Sequence, residues 1–350
     1  MSRHVIFITS PLEAVHVARI RSAAPIDVDL IHEPDLLPQT RYVADHKGVS
    51  GFRRTDEQEG RWRSNLDRAT ILWDFPAGNL QNNGGLSLAP NVKWVQTTSS
   101  GVGQQVKDFG LAESNVLVTT SSGVHAKPLA EFAMMALLHH TKRIAHLMNE
   151  QRAHRWERYC AEGLSGKTVL IVGAGKVGSE AGRLASAFGM RVEAIVRRQE
   201  HDRRAELNAQ AVFGLDKLEE AVGRADAVIL AAPHTPSTDG IFSRAVIARM
   251  KPGAVFVNIS RGQLVDEDAL IQALQDGRIG FAALDVARIE PLPPKSALWD
   301  LPNVLISPHS ASTIVSENEA ITDIFCHNIR HFLNGSQHAM LNVLNKTEMY

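Results

Sequence analysis

The run Thr168-Val169-Leu170-Ile171-Val172 is followed at once by Gly173-Ala174-Gly175-Lys176-Val177-Gly178, and a helical pattern continues over Val177–Phe188. Few local patterns restrict a fold so tightly. Continuous apolar runs of this length suit a strand covered on both faces, as in a parallel sheet. Glycines at this spacing allow a tight turn, a backbone open to a pyrophosphate, and close strand–helix packing. The helix start then offers unpaired N–H donors and a partial positive charge. A glycine triplet alone also occurs in turns that bind nothing. Its position between a strand and a helix makes this one a dinucleotide site.

The same alternation runs through most of the chain. Strands are expected at Val5–Thr9, Asp27–Ile31, Thr70–Trp73, Val92–Thr97 and Asn115–Val118. A second series is expected at Thr168–Val172, Arg191–Val196, Ala227–Ala231, Ala254–Ile259, Gly280–Val286 and Val304–Ser307. Helical patterns lie between, for example Ser243–Met250 and Glu267–Gln275. Alternating elements over 350 residues, 44% of them apolar, predict an α/β chain with doubly wound parallel-sheet domains. The stretch Lys127–Asn149 reads as one long helix, apolar all round over Phe132–Leu138 and therefore buried between domains or subunits. Residues Arg41–Asn65 are charged without clear periodicity and read as a solvated loop, and Asn82-Asn83-Gly84-Gly85 as a turn. The basic-aromatic segment Arg152–Tyr159 reads as a connector that packs its tryptophan and exposes its arginines.

Charge and cysteine content exclude several classes. With 37 Lys and Arg against 38 Asp and Glu, the net charge of −1 argues against a broad nucleic-acid or anionic-membrane surface. Cys160 and Cys326 cannot form a disulfide framework, so a reducing, cytoplasmic setting is expected. The opening apolar stretch Val5-Ile6-Phe7-Ile8 is too short for a signal segment, and no run reaches a membrane span. His139 and His140 are adjacent and so point to different helix faces; without HExxH or CxxC spacing, no metal site is expected.

The strand after the glycine turn selects the dinucleotide. An acidic residue about 20 positions beyond the turn would accept from the adenosine ribose hydroxyls. Here the strand ends at Val196-Arg197-Arg198. No carboxylate stands there to repel a 2′-phosphate, and two guanidiniums can pair with one. NADP is expected in preference, with NAD possible.

Three later strand ends carry charged side chains at the edge where open parallel sheets bind ligands. They are Ser260-Arg261-Gly262, Asp285 with Glu290 behind it, and Pro308-His309-Ser310. Taken singly, each reads as a solvated turn. Together, downstream of a nucleotide turn, they supply what carbonyl reduction by hydride needs. A histidine donates the proton, and an ionised carboxylate beside it favours the charged, donating form. An arginine grips a substrate carboxylate in forked geometry.

These motifs resemble the D-isomer-specific 2-hydroxyacid dehydrogenase family over roughly residues 70 to 335. The resemblance adds Ser100-Gly101-Val102-Gly103, Gly123-Val124 through Ala130-Glu131, Pro233-His234-Thr235-Pro236-Ser237-Thr238, Ala283-Leu284-Asp285-Val286 and Glu290-Pro291-Leu292-Pro293. It implies a Rossmann-type cofactor domain, 120–317, inserted into a flavodoxin-like substrate domain built from 1–119 and 318–350, with the active site in the cleft between them. It further implies that His309 is the acid/base, Glu290 its partner and Arg261 the substrate-orienting arginine. Gly173 to Gly178, Arg197, Arg198, Pro233, Ile259 and Asp285 would contact the cofactor, with Asp285 near the nicotinamide amide. Val102 and Gly103 would receive the substrate carboxylate, and Trp73, in Trp73-Asp74-Phe75-Pro76, would line the substrate pocket. A homodimer through the cofactor domains is also implied.

The expected activity is NADPH-dependent reduction of a 2-ketoacid, glyoxylate, hydroxypyruvate or larger, to the (R)-2-hydroxyacid. Glutamate rather than glutamine beside the histidine argues against formate. A second reading is a dinucleotide-sensing interaction protein, like the corepressors of the same family; turnover separates the two.

Overall fold

The computed structural model describes residues 4–76, 85–197 and 203–347; Arg198 and the expected turn residues Asn82, Asn83 and Gly84 lie outside them. The chain divides into two compact units. One joins Met1–His125 to Thr313–Tyr350, and the other is Ala126–Ser312.

The first unit is built on a five-stranded sheet. Its strands are β1 (Val5–Ile8), β2 (Asp29–Ile31), β3 (Ile71–Trp73), β4 (Trp94–Gln96) and β5 (Leu117–Thr119). They lie in the order β2-β1-β3-β4-β5, every pair parallel. Side chains alternate between faces as a pleat requires. Phe7 and Leu72 enter one apolar cluster, while Ile6, Ile8, Ile71 and Trp73 enter the other. The second cluster is closed by Ile321, Phe325 and Ile329 of the helix Glu317–Leu333, so the returning chain completes this core.

Trp73 is therefore no pocket residue. Its side chain is fully buried and packs 5.6 Å from the Phe325 ring, because residue 73 shares its face with Ile71. A helix, Asp56–Arg68, also occupies much of the expected loop 41–65. Thr55 and Gln58 form a reciprocal capping box at its start, and only Trp62, Asn65 and Leu66 turn inward.

The second unit carries seven strands. They are β6 (Thr168–Val172), β7 (Arg191–Val196), β8 (Ala211–Gly214), β9 (Ala227–Leu230), β10 (Ala254–Asn258), β11 (Ile279–Leu284) and β12 (Val304–Ile306). The order is β12-β11-β10-β9-β6-β7-β8, all parallel, with helices on both faces. Leu170 and Val172 enter one core, Val169 and Ile171 the other. The strand order reverses at β6, which is the switch point where such sheets take ligands. Strand β8 was not expected. It is a short, half-buried edge strand, so it lacks the doubly covered apolar run of its neighbours.

The expected long helix is two helices, Ala126–Thr141 and Ile144–Arg152, separated by Arg143 in the left-handed region at φ 54°. The first buries Ala130, Ala133, Ala136 and Leu137 in its own unit's core, while Met135 faces out. Trp156 does not pack into the connector; it is 98% exposed.

Candidate active site

Parallel register brings the strand ends of the second unit to one edge. Asn258 on β10 pairs with Leu284 on β11, which pairs with Ile306 on β12. The residues just past these ends, Arg261, Asp285 and His309, therefore leave neighbouring strands on the same side. Across β9, Leu230 pairs with both Asn258 and Val172, so the glycine turn after β6 opens on that edge as well.

His309 stands at φ 55°, with its N–H donating to Asp285 O at 2.8 Å and to Ser307 O at 2.9 Å. The Asp285 carboxylate, 2% exposed, fixes the same loop. Its Oδ1 accepts from Ser307 Oγ at 2.7 Å and from the Ser310 and Ala311 N–H groups at 2.9 Å each. Nδ1 of His309 lies 2.8 Å from Glu290 Oε2. A carboxylate only accepts, so Nδ1 carries the proton and Nε2 is left for chemistry. Oε1 of Glu290 accepts from the Ala287 N–H at 3.2 Å.

Arg261 belongs to the same charge group. Burial lowers its pKa, while the carboxylates of Glu290 and Asp285 push it back up. A guanidinium stays charged against such a balance. Its Nη1 donates to Ser260 O at 2.7 Å. Gly262 explains how the segments approach: a Cβ there would collide with the Ala287 carbonyl and Arg288 N. Only a residue without a side chain lets the turn after β10 lie against the loop that carries Glu290. Gln263 Nε2 donates to Arg288 O at 3.3 Å, and the Arg288 N–H donates to Glu267 Oε2 at 2.9 Å.

The glycine turn has the shape a dinucleotide needs. Gly173 lies at φ 105°, and a Cβ there would run into Ala232 backbone. A Cβ on Gly178 would collide with Gly173 O, whereas one on Gly175 would meet nothing within 4 Å. Turn and helix are thus pressed together while the middle glycine stays open toward an incoming phosphate. The helix Lys176–Ala187 has Gly175 as N-cap and no side-chain cap there, and a helix start of this kind favours an anion. An open depression beside it is lined by Gly175, Lys176 and the ion pairs Arg183–Glu180 and Arg203–Glu206.

A model of the D-isomer specific 2-hydroxyacid dehydrogenase NAD-binding domain matches residues 134–311, half of the chain. The chain belongs to this family. The D-3-phosphoglycerate dehydrogenase of Mycobacterium leprae is 32% identical over 281 residues, 77% of this chain and 52% of the relative. The chain thus spans about half the length of the phosphoglycerate dehydrogenases it matches. The glyoxylate reductase/hydroxypyruvate reductase of Mus musculus is 28% identical over 338 residues, 94% of this chain and 95% of the relative. Among solved structures, the family member of Xanthobacter autotrophicus Py2 in complex with NADPH and MES superposes with a TM-score of 0.76. It is 25% identical, and the match covers 100% of both chains.

The other dehydrogenase-family positions fall as follows. Arg197 is exposed at the end of β7, and Ile259 is buried past β10. Pro233 is exposed, its carbonyl accepting from Thr238 Oγ1 at 2.7 Å. In the first unit, Val102 is the N-cap of a short helix, Gly103–Asp108, and its side chain is buried. Sequence reasoning missed Arg203, whose Nη2 donates to Ala174 O at 2.7 Å on the glycine turn and which also pairs with Glu206. Its signal was the mixed charge run 200–206, which equally describes a solvated helix start. Among the described residues, no His, Cys, Asp and Glu group is arranged to hold a metal, and no helix is long and apolar enough to cross a membrane.

Proposed function

We propose that this chain is an NADPH-dependent reductase of 2-ketoacids, yielding the (R)-2-hydroxyacid. The observation that carries the reading is the 2.8 Å bond from His309 to Glu290 beside Arg261, on the strand edge where the glycine turn opens. A nicotinamide cofactor held beside the glycine turn would supply the hydride for the keto carbon. Nε2 of His309 gives the proton to the carbonyl oxygen as charge develops there, and Glu290 steadies the ring in the donating tautomer. Arg261 holds the substrate and polarises the carbonyl. The backbone at Val102 and Gly103 receives the substrate carboxylate, and Asp285 shapes the nicotinamide end while fixing the His309 loop. Glyoxylate, hydroxypyruvate or a larger 2-ketoacid are the substrate candidates; the name of the mouse relative supports the first two.

The NADP preference rests on Arg197 at the end of β7, where Val196 occupies the place of the ribose-binding acid, and on Arg203 beside the turn. The NADPH complex of the Xanthobacter relative supports it. The test is a panel of 2-ketoacids with NADPH and with NADH, followed by loss of nicotinamide absorbance. Turnover with NADPH favoured is the expected result, and Arg197→Ala should weaken NADPH more than NADH. Equal losses for the two cofactors would remove the phosphate assignment. Cofactor binding without turnover of any 2-ketoacid would instead favour a dinucleotide sensor.

We propose further a homodimer through the second unit. Met135, Leu147, Met148, Trp156 and Tyr159 form an exposed apolar series along the helix pair and the connector after it. Exposed patches of this kind mark association sites. Light scattering should give twice the 38.3 kDa chain mass, and Leu147→Lys combined with Trp156→Ser should give the monomer. A wild-type monomer at micromolar concentration would refute this.

A further inference from the structure

The first unit holds a second carboxylate–imidazole system that the proposed reaction does not use. The chain leaves this unit at His125 and returns at Thr313. His125 therefore closes the first arm, and Glu317 opens the helix of the second. Oε1 of Glu317 accepts from His125 Nε2 at 3.1 Å and from His46 Nε2 at 3.3 Å. On the other side of its ring, Nδ1 of His125 lies 3.3 Å from Ser100 Oγ. The result is a continuous chain from Glu317 through His125 to Ser100.

Glu317 is 5% exposed, and Oε2 is buried without a hydrogen-bond partner. Burial pushes its carboxyl up, but the bonds from His125 and His46 outweigh that and hold it at about 2. An ionised oxygen cannot donate, so Nε2 of His125 carries a proton and Nδ1 is the atom presented to Ser100. A buried charge is a poor way to gain stability compared with apolar packing, which directs attention to what the carboxylate holds.

What it holds is one end of a loop. Residues 97–99 are secured to the end of β5 and the residues just after it. The Thr97 N–H donates to Thr119 O at 2.8 Å, the Ser121 N–H to Ser99 O at 3.2 Å, and Ser121 Oγ to Thr97 O at 2.7 Å. The bond between Ser100 and His125 carries this fastening to the approach of Gly101 and Val102, where the buried Val102 side chain and its place as N-cap of Gly103–Asp108 hold the far end.

We propose that Glu317 and His125 are positioning residues: they hold Ser100, and through it the Val102 and Gly103 backbone, at the place where the 2-ketoacid carboxylate is received. The proposal rests on the reductase reading above. It ties substrate affinity to a carboxylate that lies beyond the whole inserted unit in sequence.

The test is steady-state kinetics on the full chain, with Ser100→Ala, His125→Asn, Glu317→Ala and Glu317→Gln beside the wild type. Ser100→Ala removes one partly exposed hydroxyl and leaves the buried carboxylate paired, so it remains informative should a Glu317 variant fold poorly. Ser100→Ala and His125→Asn should each raise KM for the ketoacid by about five- to tenfold, with kcat and NADPH affinity nearly unchanged. Ser100→Ala on top of His125→Asn should add little, because both break one chain. Glu317→Gln keeps an acceptor and should recover much of what Glu317→Ala loses. A merely structural role would instead lower the active fraction, which reduces apparent kcat and spares KM. Unchanged KM in Ser100→Ala and His125→Asn, or fully additive effects in their combination, would overturn the proposal. Absence of turnover in the wild type would overturn the reductase reading itself, a separate signature.

Discussion

His309→Asn should lower kcat for the proposed ketoacid reduction by about 10²- to 10⁴-fold while leaving the dissociation constant of NADPH unchanged. Asparagine is the informative replacement because residue 309 sits at φ 55°, where most side chains are strained and asparagine is tolerated. The backbone bonds from residue 309 to Asp285 O and Ser307 O can then persist, so the loss belongs to the imidazole and not to a collapsed loop. With the ring gone, no acid meets the developing alkoxide, and proton delivery falls to water. Single-turnover measurements of NADPH oxidation report the chemical step, and a fluorescence titration reports binding. The assignment also expects Glu290→Gln to be milder: an amide oxygen still accepts from Nδ1 but no longer balances the imidazolium charge. A kcat within threefold of wild type in His309→Asn would remove this residue from proton transfer.

Much of the fold was legible because the sheets are parallel and covered on both sides. Val169 to Val172 and Ala254 to Val257 are continuous apolar runs, and such runs have few other uses in a chain with glycine punctuation. The same logic fails at β8, whose edge position leaves Ala211 to Gly214 half buried and therefore unpatterned. The helix Asp56–Arg68 was readable in its Thr55 and Gln58 capping pair, but its sparse inward face hid its period. Trp73 and Trp156 were misplaced for one reason. An aromatic residue states how much surface it can bury without stating which side of a strand or connector it will occupy. Pleat alternation settles Trp73, and no local rule places Trp156. Arg261, Glu290 and His309 could be nominated from strand ends, whereas Gly262 could not. Its role depends on the approach of Ala287, a tertiary contact that no spacing announces.

Arg261→Lys should lower kcat/KM for the ketoacid by about 10²- to 10³-fold, far more than a conserved charge would imply. The guanidinium is planar and presents its donors as a fork, so one side chain can engage a carboxylate and still reach the carbonyl oxygen. One of those donors is already committed to Ser260 O at 2.7 Å, which fixes the plane before substrate arrives. A lysine ammonium offers a single point of charge at the end of a flexible stem and cannot reproduce that orientation. Burial also acts differently on the two groups. The site lowers the pKa of Arg261, yet a guanidinium starts high enough to remain charged, and Glu290 and Asp285 assist it. An ammonium begins lower and shifts more readily when desolvated. Because a polarised carbonyl matters most in the transition state, the loss should appear in kcat as well as KM. A simple aldehyde without a carboxylate separates these contributions, since its reduction needs the polarising charge but not the grip. The lysine variant should therefore lose less on the aldehyde than on the ketoacid. An equal loss on both would mean that Arg261 acts on the carbonyl alone, and a loss below about fivefold on the ketoacid would withdraw it from the reaction.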